Sequence, residues 1–241
     1  MRLFNMLTGS IGKDDESNRE KWLANTLLSI PKGNKILDAG AGEMKYKKFC
    51  SHLEYVSQDL ATYNGKGDEK GLQIGSWDTS KIDIVSDIVS IPVPDSSFDA
   101  VMCVEVLEHL PDPIAAIKEI ARVLRNEGIL ILTAPFASIT HFAPYYYSNG
   151  FSRYWYQYIL PKYGFSIKEL TYRGNYFHYL AQQIRRIGDV ANRYGKGSAL
   201  ILFMIKIFSE ILIFLYKILN KKSKGSEELL CHGIHILAVK K

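Results

Sequence analysis

Short apolar runs alternate with amphipathic stretches through the first two thirds of the chain, and that alternation predicts its elements. Residues 14–30 place Trp22, Leu23, Thr26, Leu27 and Ile30 on one helical face, and Pro31 stops the helix. Strands are predicted at 35–39, 53–59, 82–87, 100–104 and 129–134. Between them fall a short helix at 46–52 and a longer one at 113–124, which Asn126 and Gly128 end. Strands this short and apolar, alternating with helices, indicate a parallel sheet covered on both faces. In such a doubly wound α/β sheet, ligands sit outside the carboxyl ends of the strands, so function is sought just after each one.

Composition narrows the class. A chain of 241 residues, 47% apolar, buries the core of one α/β domain plus an insertion, but hardly two independent domains. The formal charge of +5 does not by itself argue for nucleic acid or membrane. Cys50, Cys103 and Cys231 lie far apart with no CxxC or Cys/His spacing, so neither a disulfide framework nor a zinc site is indicated, and no metal is expected. A reducing, cytoplasmic compartment fits. The apolar patch at 3–7 is shorter than the core of about 7 to 15 residues in a signal peptide, and export is not expected.

After the first strand the chain reads Asp38-Ala39-Gly40-Ala41-Gly42. An acid followed by Gly-x-Gly lets the backbone turn sharply and approach a ligand, with a following helix N-terminus offering free N–H groups; a tight turn without a ligand would look the same. Lys45 occupies the third-glycine position of the nicotinamide-dinucleotide fingerprint and counts against that cofactor, and no Gly-Lys-Ser/Thr ending marks a P-loop. Asp59, 17 residues beyond Gly42, ends the second strand, where a carboxylate accepts both hydroxyls of a ribose. Asp87 ends the third, where it would accept an adenine amine while the Ile88 N–H donates to the ring. Each acid alone reads equally well as a cap or a loop residue. Three of them after three successive strands, beside a glycine turn, are harder to dismiss.

Lys35-Ile-Leu-Asp-Ala-Gly-Ala-Gly42, Asp59, Asp87 with Ile91-Pro-Val-Pro-Asp-Ser-Ser-Phe-Asp99, Cys103-Val-Glu-Val-Leu-Glu-His-Leu-Pro-Asp-Pro113 and Glu119-Ile-Ala-Arg-Val-Leu-Arg125 together resemble the class I methyltransferases of the type 11 methyltransferase-domain family. The resemblance runs from about Asn34 to Pro135 and weakly on to Leu170; its motifs concern S-adenosylmethionine and say little about the methyl acceptor. It implies a Rossmann-like, seven-stranded, mostly parallel sheet with the last strand antiparallel and helices on both faces. It also implies that Gly40, Ala41 and Gly42 border the methionine part of the cofactor, Asp38 reaches its amino group, and Asp59 with Leu60 holds the ribose. Asp87 and Ile88 would read the adenine, and Val104 and Glu105 would line the site after the fourth strand. One departure is Met44, where many relatives carry a third glycine.

Methyl transfer from a sulfonium is an in-line displacement, so the protein mainly orients the nucleophile and excludes water; a base is needed only when the acceptor must lose a proton. The acceptor-side segment is 140–149, after the fifth strand. His141 suits a base near neutral pH. Tyr145, with Tyr146 and Tyr147, suits a pocket wall or a cation–π contact to the sulfonium. His109 stands either near the reacting centre or in a structural hydrogen bond at a helix end, and the tyrosines read equally as an aromatic loop packed on the sheet.

The last elements predicted are a helix at 151–163 and strands at 165–172 and 234–240. The resemblance implies a short hairpin between these two strands, so 173–233 reads as a helical insertion, dividing the chain into a helical segment 1–33, a core 34–172, the insertion and a final strand 234–241. The insertion holds ten Lys or Arg against four acids, a balance of +6. Within it, 199–219 is almost wholly apolar, with Lys206, Glu210 and Lys217 on one stripe. Its length would permit a membrane span, but a single crossing would strand the last β-strand on the wrong side. A helix lying in the membrane interface, flanked by basic residues, is preferred; a buried helix that closes the pocket or joins a homodimer is the alternative.

The acceptor expected is a small molecule, a saccharide or a lipid-linked saccharide, methylated on oxygen by a cytoplasmic enzyme peripheral to the inner face of the membrane. A cofactor-binding scaffold protein is the competing reading. Nucleic acid ranks low, because the basic residues are interleaved with aliphatic runs rather than with a stacking platform.

Overall fold

The computed structural model describes residues 8–195 and 198–241. The apolar patch at 3–7, and Lys196 of the basic insertion, lie outside the described residues. Two compact units divide the chain: Glu20–Thr171 with Gly233–Lys241, and Met1–Arg19 with Tyr172–His232.

The first unit is built on a seven-stranded sheet. Its strands are β1 (Lys35–Ala39), β2 (Glu54–Asp59), β3 (Ile84–Val85), β4 (Phe98–Val104), β5 (Leu124–Pro135), β6 (Phe165–Arg173) and β7 (Gly233–Lys240), in the order β3-β2-β1-β4-β5-β7-β6. β1 lies between parallel partners, with Leu37 opposite both Val56 and Val101. That central place explains why Ile36, Leu37 and Ala39 are wholly buried. β7 runs antiparallel to β5, with Thr133 opposite His235. The mixed sheet with its antiparallel last strand is the architecture that the resemblance implied. Strand order reverses between β1 and β4, the crevice where such sheets bind ligands.

Helices α1 (Asp15–Leu28), α2 (Pro113–Val123) and α3 (Arg153–Lys162) accompany the sheet. Leu23 and Leu27 of α1 join Ile36, Ala100, Met102 and Ile131 in one core, and Trp22 stacks on His235 with ring centroids 4.3 Å apart. α2 starts where Asp112 accepts from the N–H groups of Ile114 and Ala115, with Pro113 in the first turn. Near its end, Arg122 donates to the carbonyls of Val93 (2.8 Å) and Ile91 (2.9 Å) and to Glu119 (2.7 Å), while Glu119 accepts the Ile91 N–H. The chain leaving β3 is thereby clamped to α2.

Three elements differ from the sequence reading. β3 is only two residues long, because the Asp83 carboxylate takes the Ser57 N–H (2.9 Å) and hydroxyl (2.7 Å) in place of a backbone ladder bond. β5 begins at Leu124 rather than 129, since Phe98 pairs with Leu124 across a register shift. The helix expected at 46–52 is a single 3-10 turn, Lys47–Phe49.

In the second unit, helices α4 (Tyr176–Tyr194) and α5 (Ala199–Asn220) share a small core of Ile11, Ala181 and Ile213. Asn175 caps α4 through the N–H groups of Phe177 and His178, and its amide donates to Asn220 at 2.6 Å. Arg185 faces Glu210 at 3.6 Å.

Candidate active site

The turn after β1 is sewn to the end of β2. Gly40 and Ala41 donate their N–H groups to the Gln58 carbonyl at 2.8 and 2.9 Å, and Gly42 donates to Asp59 Oδ2 at 2.9 Å. Both glycines have positive φ, +76° and +53°. A Cβ at Gly40 would lie 2.5 Å from Val106 Cγ2, and one at Gly42 only 2.2 Å from Trp77 Cζ2, so neither position accepts a side chain without displacement. The sequence reading expected a helix N-terminus with free N–H groups here. That expectation fails: the donors of 40–42 are taken by Gln58 and Asp59, and Met44, at φ +55°, turns the chain out of helical geometry before the 3-10 turn.

Asp59 Oδ1 also accepts the Ala61 N–H at 2.8 Å. A carboxylate offers about four lone-pair directions, so acceptor capacity remains for a ligand. Asp38 is buried and accepts the Tyr55 hydroxyl at 2.6 Å. Burial pushes its pKa up to about 7; the Tyr55 bond opposes this and the neighbouring Asp59 adds to it. The Tyr55 phenol is itself raised, first by burial and then by Asp38. Leu60 is exposed beside Asp59. After β3, Asp87 is exposed and closes a local turn through the Val89 N–H (3.1 Å), while Ile88 is buried. After β4, Val104 is buried and Glu105 sits at φ +56°, its carboxylate accepting the Thr133 hydroxyl at 2.8 Å.

The segment 140–149, singled out in the sequence after the fifth strand, is one half of a cover whose other half, 60–83, read only as a connection. The segment 60–83 is joined to 136–152 by Leu72 N–H to the Thr140 carbonyl (3.0 Å), Phe142 N–H to the Leu72 carbonyl (2.9 Å) and Asp68 N–H to the Ala143 carbonyl (3.0 Å). Phe142 is its hub, with ring centroids 4.8 Å from Tyr63, 5.6 Å from Trp77, and 5.2 Å from both His109 and His141. His109 and His141 are 4.7 Å apart, and Tyr146 is 5.2 Å from His141.

The histidines of the cover are oriented by backbone. His109 Nδ1 donates to the Tyr145 carbonyl at 2.6 Å, and His141 Nδ1 to the Ile139 carbonyl at 2.9 Å, because a carbonyl only accepts. His109 thus makes the structural hydrogen bond at a helix end that its sequence left open, and its ring packs on Phe142. Burial, with His141 second, holds its imidazole down to about 4. Tyr145 serves through its carbonyl, while Tyr146 is the ring that packs on His141 and donates to the Ser138 carbonyl at 2.8 Å. Tyr147 is exposed.

Sequence reasoning missed Tyr63, Trp77 and Glu108. The available signal was the length of the 60–83 connection, since long structureless segments in compact domains tend to be functional.

Fold and site are similar to those of the class I methyltransferases. Residues 37–132 match the family model described as a methyltransferase domain. The chain is 26% identical over 118 residues to the uncharacterized methyltransferase YcgJ of Bacillus subtilis, covering 46% of this chain and 42% of that protein. It is 33% identical over 108 residues to a ubiquinone biosynthesis O-methyltransferase of Xanthomonas oryzae, covering 42% and 43%. The match thus spans under half the length of these curated relatives. The crystal structure of YcgJ superposes with a TM-score of 0.54 at 17% identity, over 93% of this chain and 99% of that one, which shows the shared fold. Proteins of this class take S-adenosylmethionine, and the residues fit it: a turn that tolerates no Cβ, a buried acid at Asp38 and an acceptor at Asp59 surround one end of the sheet.

Proposed function

We propose that this chain is an S-adenosylmethionine-dependent methyltransferase that methylates oxygen on a small-molecule, saccharide or lipid-linked acceptor. The observation that carries the reading is the glycine turn braced by Asp59 at the strand-order reversal, with the two-histidine aromatic cover formed by the loops of the same sheet unit. The match of 37–132 to a methyltransferase domain favours turnover over a scaffolding role.

The cofactor supplies an electrophilic methyl group on a sulfonium. Asp38 is assigned to its ammonium, Gly40, Ala41 and Gly42 to close backbone approach, Asp59 with Leu60 to the ribose, Asp87 and Ile88 to the adenine, and Val104 and Glu105 to the wall beside it. Tyr63, Trp77 and Phe142 exclude water and offer π faces toward positive charge. Burial, with His141 second, holds His109 down to about 4, so it gains a proton only in acid and is a poor base for the acceptor proton.

Two observations favour a lipid-like acceptor. Relatives are named for ubiquinone biosynthesis and for 2-methyl-6-phytyl-1,4-hydroquinone. α5 is 22 residues long and almost wholly apolar, and only 6% of its most apolar stretch is buried, leaving Leu200, Phe203, Phe208 and Leu215 exposed. With Lys221, Lys222 and Lys224 at its end, we read it as lying in the interface of an anionic, cytoplasm-facing membrane.

Calorimetric titration with S-adenosylmethionine and S-adenosylhomocysteine tests the reading, with Asp59→Ala as control. Saturable binding weakened by the substitution supports it; no binding, or equal binding by the variant, refutes it.

A further inference from the structure

Glu108, His109 and His141 bring one carboxylate and two imidazoles together in the cover, with ligand-capable atoms all within 4.8 Å of one another. Both imidazoles face the same oxygen: His109 Nε2 stands 3.7 Å and His141 Nε2 3.9 Å from Glu108 Oε1. Their opposite nitrogens are fixed by the Tyr145 and Ile139 carbonyls. Donation from Nδ1 puts the lone pair of each neutral ring on Nε2, toward Glu108. Anchoring the far ring N–H on a backbone carbonyl is how metal-bound histidines are commonly held. Glu108 is wholly buried, and His109 Nε2 is buried with no hydrogen-bond partner among the described residues.

We infer that Glu108, His109 and His141 form a binding site for a divalent transition-metal cation, with zinc the best match to two imidazoles and one carboxylate. A tetrahedral ion about 2.0–2.2 Å from each ligand needs donors about 3.4 Å apart, so the Glu108–imidazole distances must close by a few tenths of an ångström, and the two imidazole nitrogens, within 4.8 Å of each other, by at most about 1.4 Å. His141 sits on the 136–152 loop, which can supply that movement. Three protein ligands leave a coordination position open, the arrangement of catalytic rather than structural zinc.

The use of the ion rests on the methyltransferase reading. An acceptor hydroxyl beside the cation loses its proton to solvent more readily. The new O–CH3 bond forms as the S–CH3 bond breaks, giving a methyl ether, S-adenosylhomocysteine and one proton.

The test uses the full, tag-free chain stripped with a chelator and titrated with Co2+, followed by absorption spectroscopy and by competition with Zn2+. The expected result is one Co2+ per chain with ligand-field bands of low coordination number, displaced by Zn2+. His141→Ala and Glu108→Gln should each weaken binding by about 100-fold or more. Should Glu108→Gln fail to fold, the loop variant His141→Ala still decides the matter. Uptake below one ion per chain, or unchanged affinity in the folded variants, overturns the site. Titration of the same protein with S-adenosylmethionine separates the two claims: Co2+ uptake without cofactor binding removes the methyltransferase reading and leaves the metal site standing.

Discussion

Gly42 gives its backbone N–H to the Asp59 carboxylate at 2.9 Å, while the Trp77 ring lies where a Gly42 Cβ would stand. One residue thus couples the turn after β1, the end of β2 and the cover. Gly42→Ala should destabilise the protein through the left-handed φ, at about 1–2 kcal/mol, and through the clash with Trp77. Trp77→Ala removes the clash but also loses that ring's packing on Tyr63 and Phe142. Thermal unfolding of the single and double variants should therefore show a double-variant loss smaller than the sum of the single losses. Additive losses would mean that Trp77 does not pack on the turn.

Asp38 gives a pH signature whose sign is fixed by its burial. Its pKa rises from the ordinary 3.8 to about 7 in the fold, so between these values the folded chain holds a proton that the unfolded chain has released. The stability contribution is full below about pH 4 and declines as pH rises toward 7, by up to about 1.4 kcal/mol per pH unit. Asp38→Asn should flatten this decline, because the amide oxygen still accepts the Tyr55 hydroxyl. Cofactor affinity should move the opposite way, tightening in the native protein as pH passes 7 and the carboxylate ionises, with no such change in the variant. Chemical denaturation and calorimetry at several pH values read both effects.

The Arg122 clamp predicts a stability loss without loss of site chemistry. Arg122→Ala leaves the Glu119 carboxylate, itself mostly buried, without its guanidinium, and frees the Ile91 and Val93 carbonyls. Because the guanidinium is partly exposed, the cost should be about 2 kcal/mol rather than the larger figure for a fully buried pair. Denaturant melts measure it, and the variant should bind cofactor normally at temperatures where it remains folded.

The sheet was legible in the sequence because burial on both faces demands continuous apolar runs, and Ile36-Leu37 and Val101-Met102 supply them without ambiguity. The places of the acids at 38, 59 and 87, at or just beyond strand ends, were legible because the apolar runs stop there. β3 was overextended because its outer residues look like a strand, yet Asp83 uses its side chain to replace ladder bonds. The cover was illegible for a different reason. Tyr63, Trp77, Phe142 and the two histidines come together by pairing of two irregular segments, Leu72 with Thr140 and Phe142, and no periodicity announces such pairing. Glu108 was passed over because a glutamate at the end of a strand-to-helix connection ordinarily faces solvent, whereas this one is wholly buried.

α5 carries the last prediction. Its exposed Phe203 and Phe208 add apolar surface that a lipid interface would bury, and Lys221, Lys222 and Lys224 add charge that anionic headgroups attract, at about 1 kcal/mol per cation near the surface. The full chain should sediment with vesicles containing phosphatidylglycerol, much less with purely zwitterionic ones, and release partly as salt rises. Phe203→Glu with Phe208→Glu should abolish sedimentation while leaving the sheet unit folded, because neither side chain belongs to the core of Ile11, Ala181 and Ile213. If instead the native chain ignores vesicles and the double variant changes its oligomeric state in solution, the helix joins copies of the protein, and the argument for a lipid-like acceptor loses its structural half.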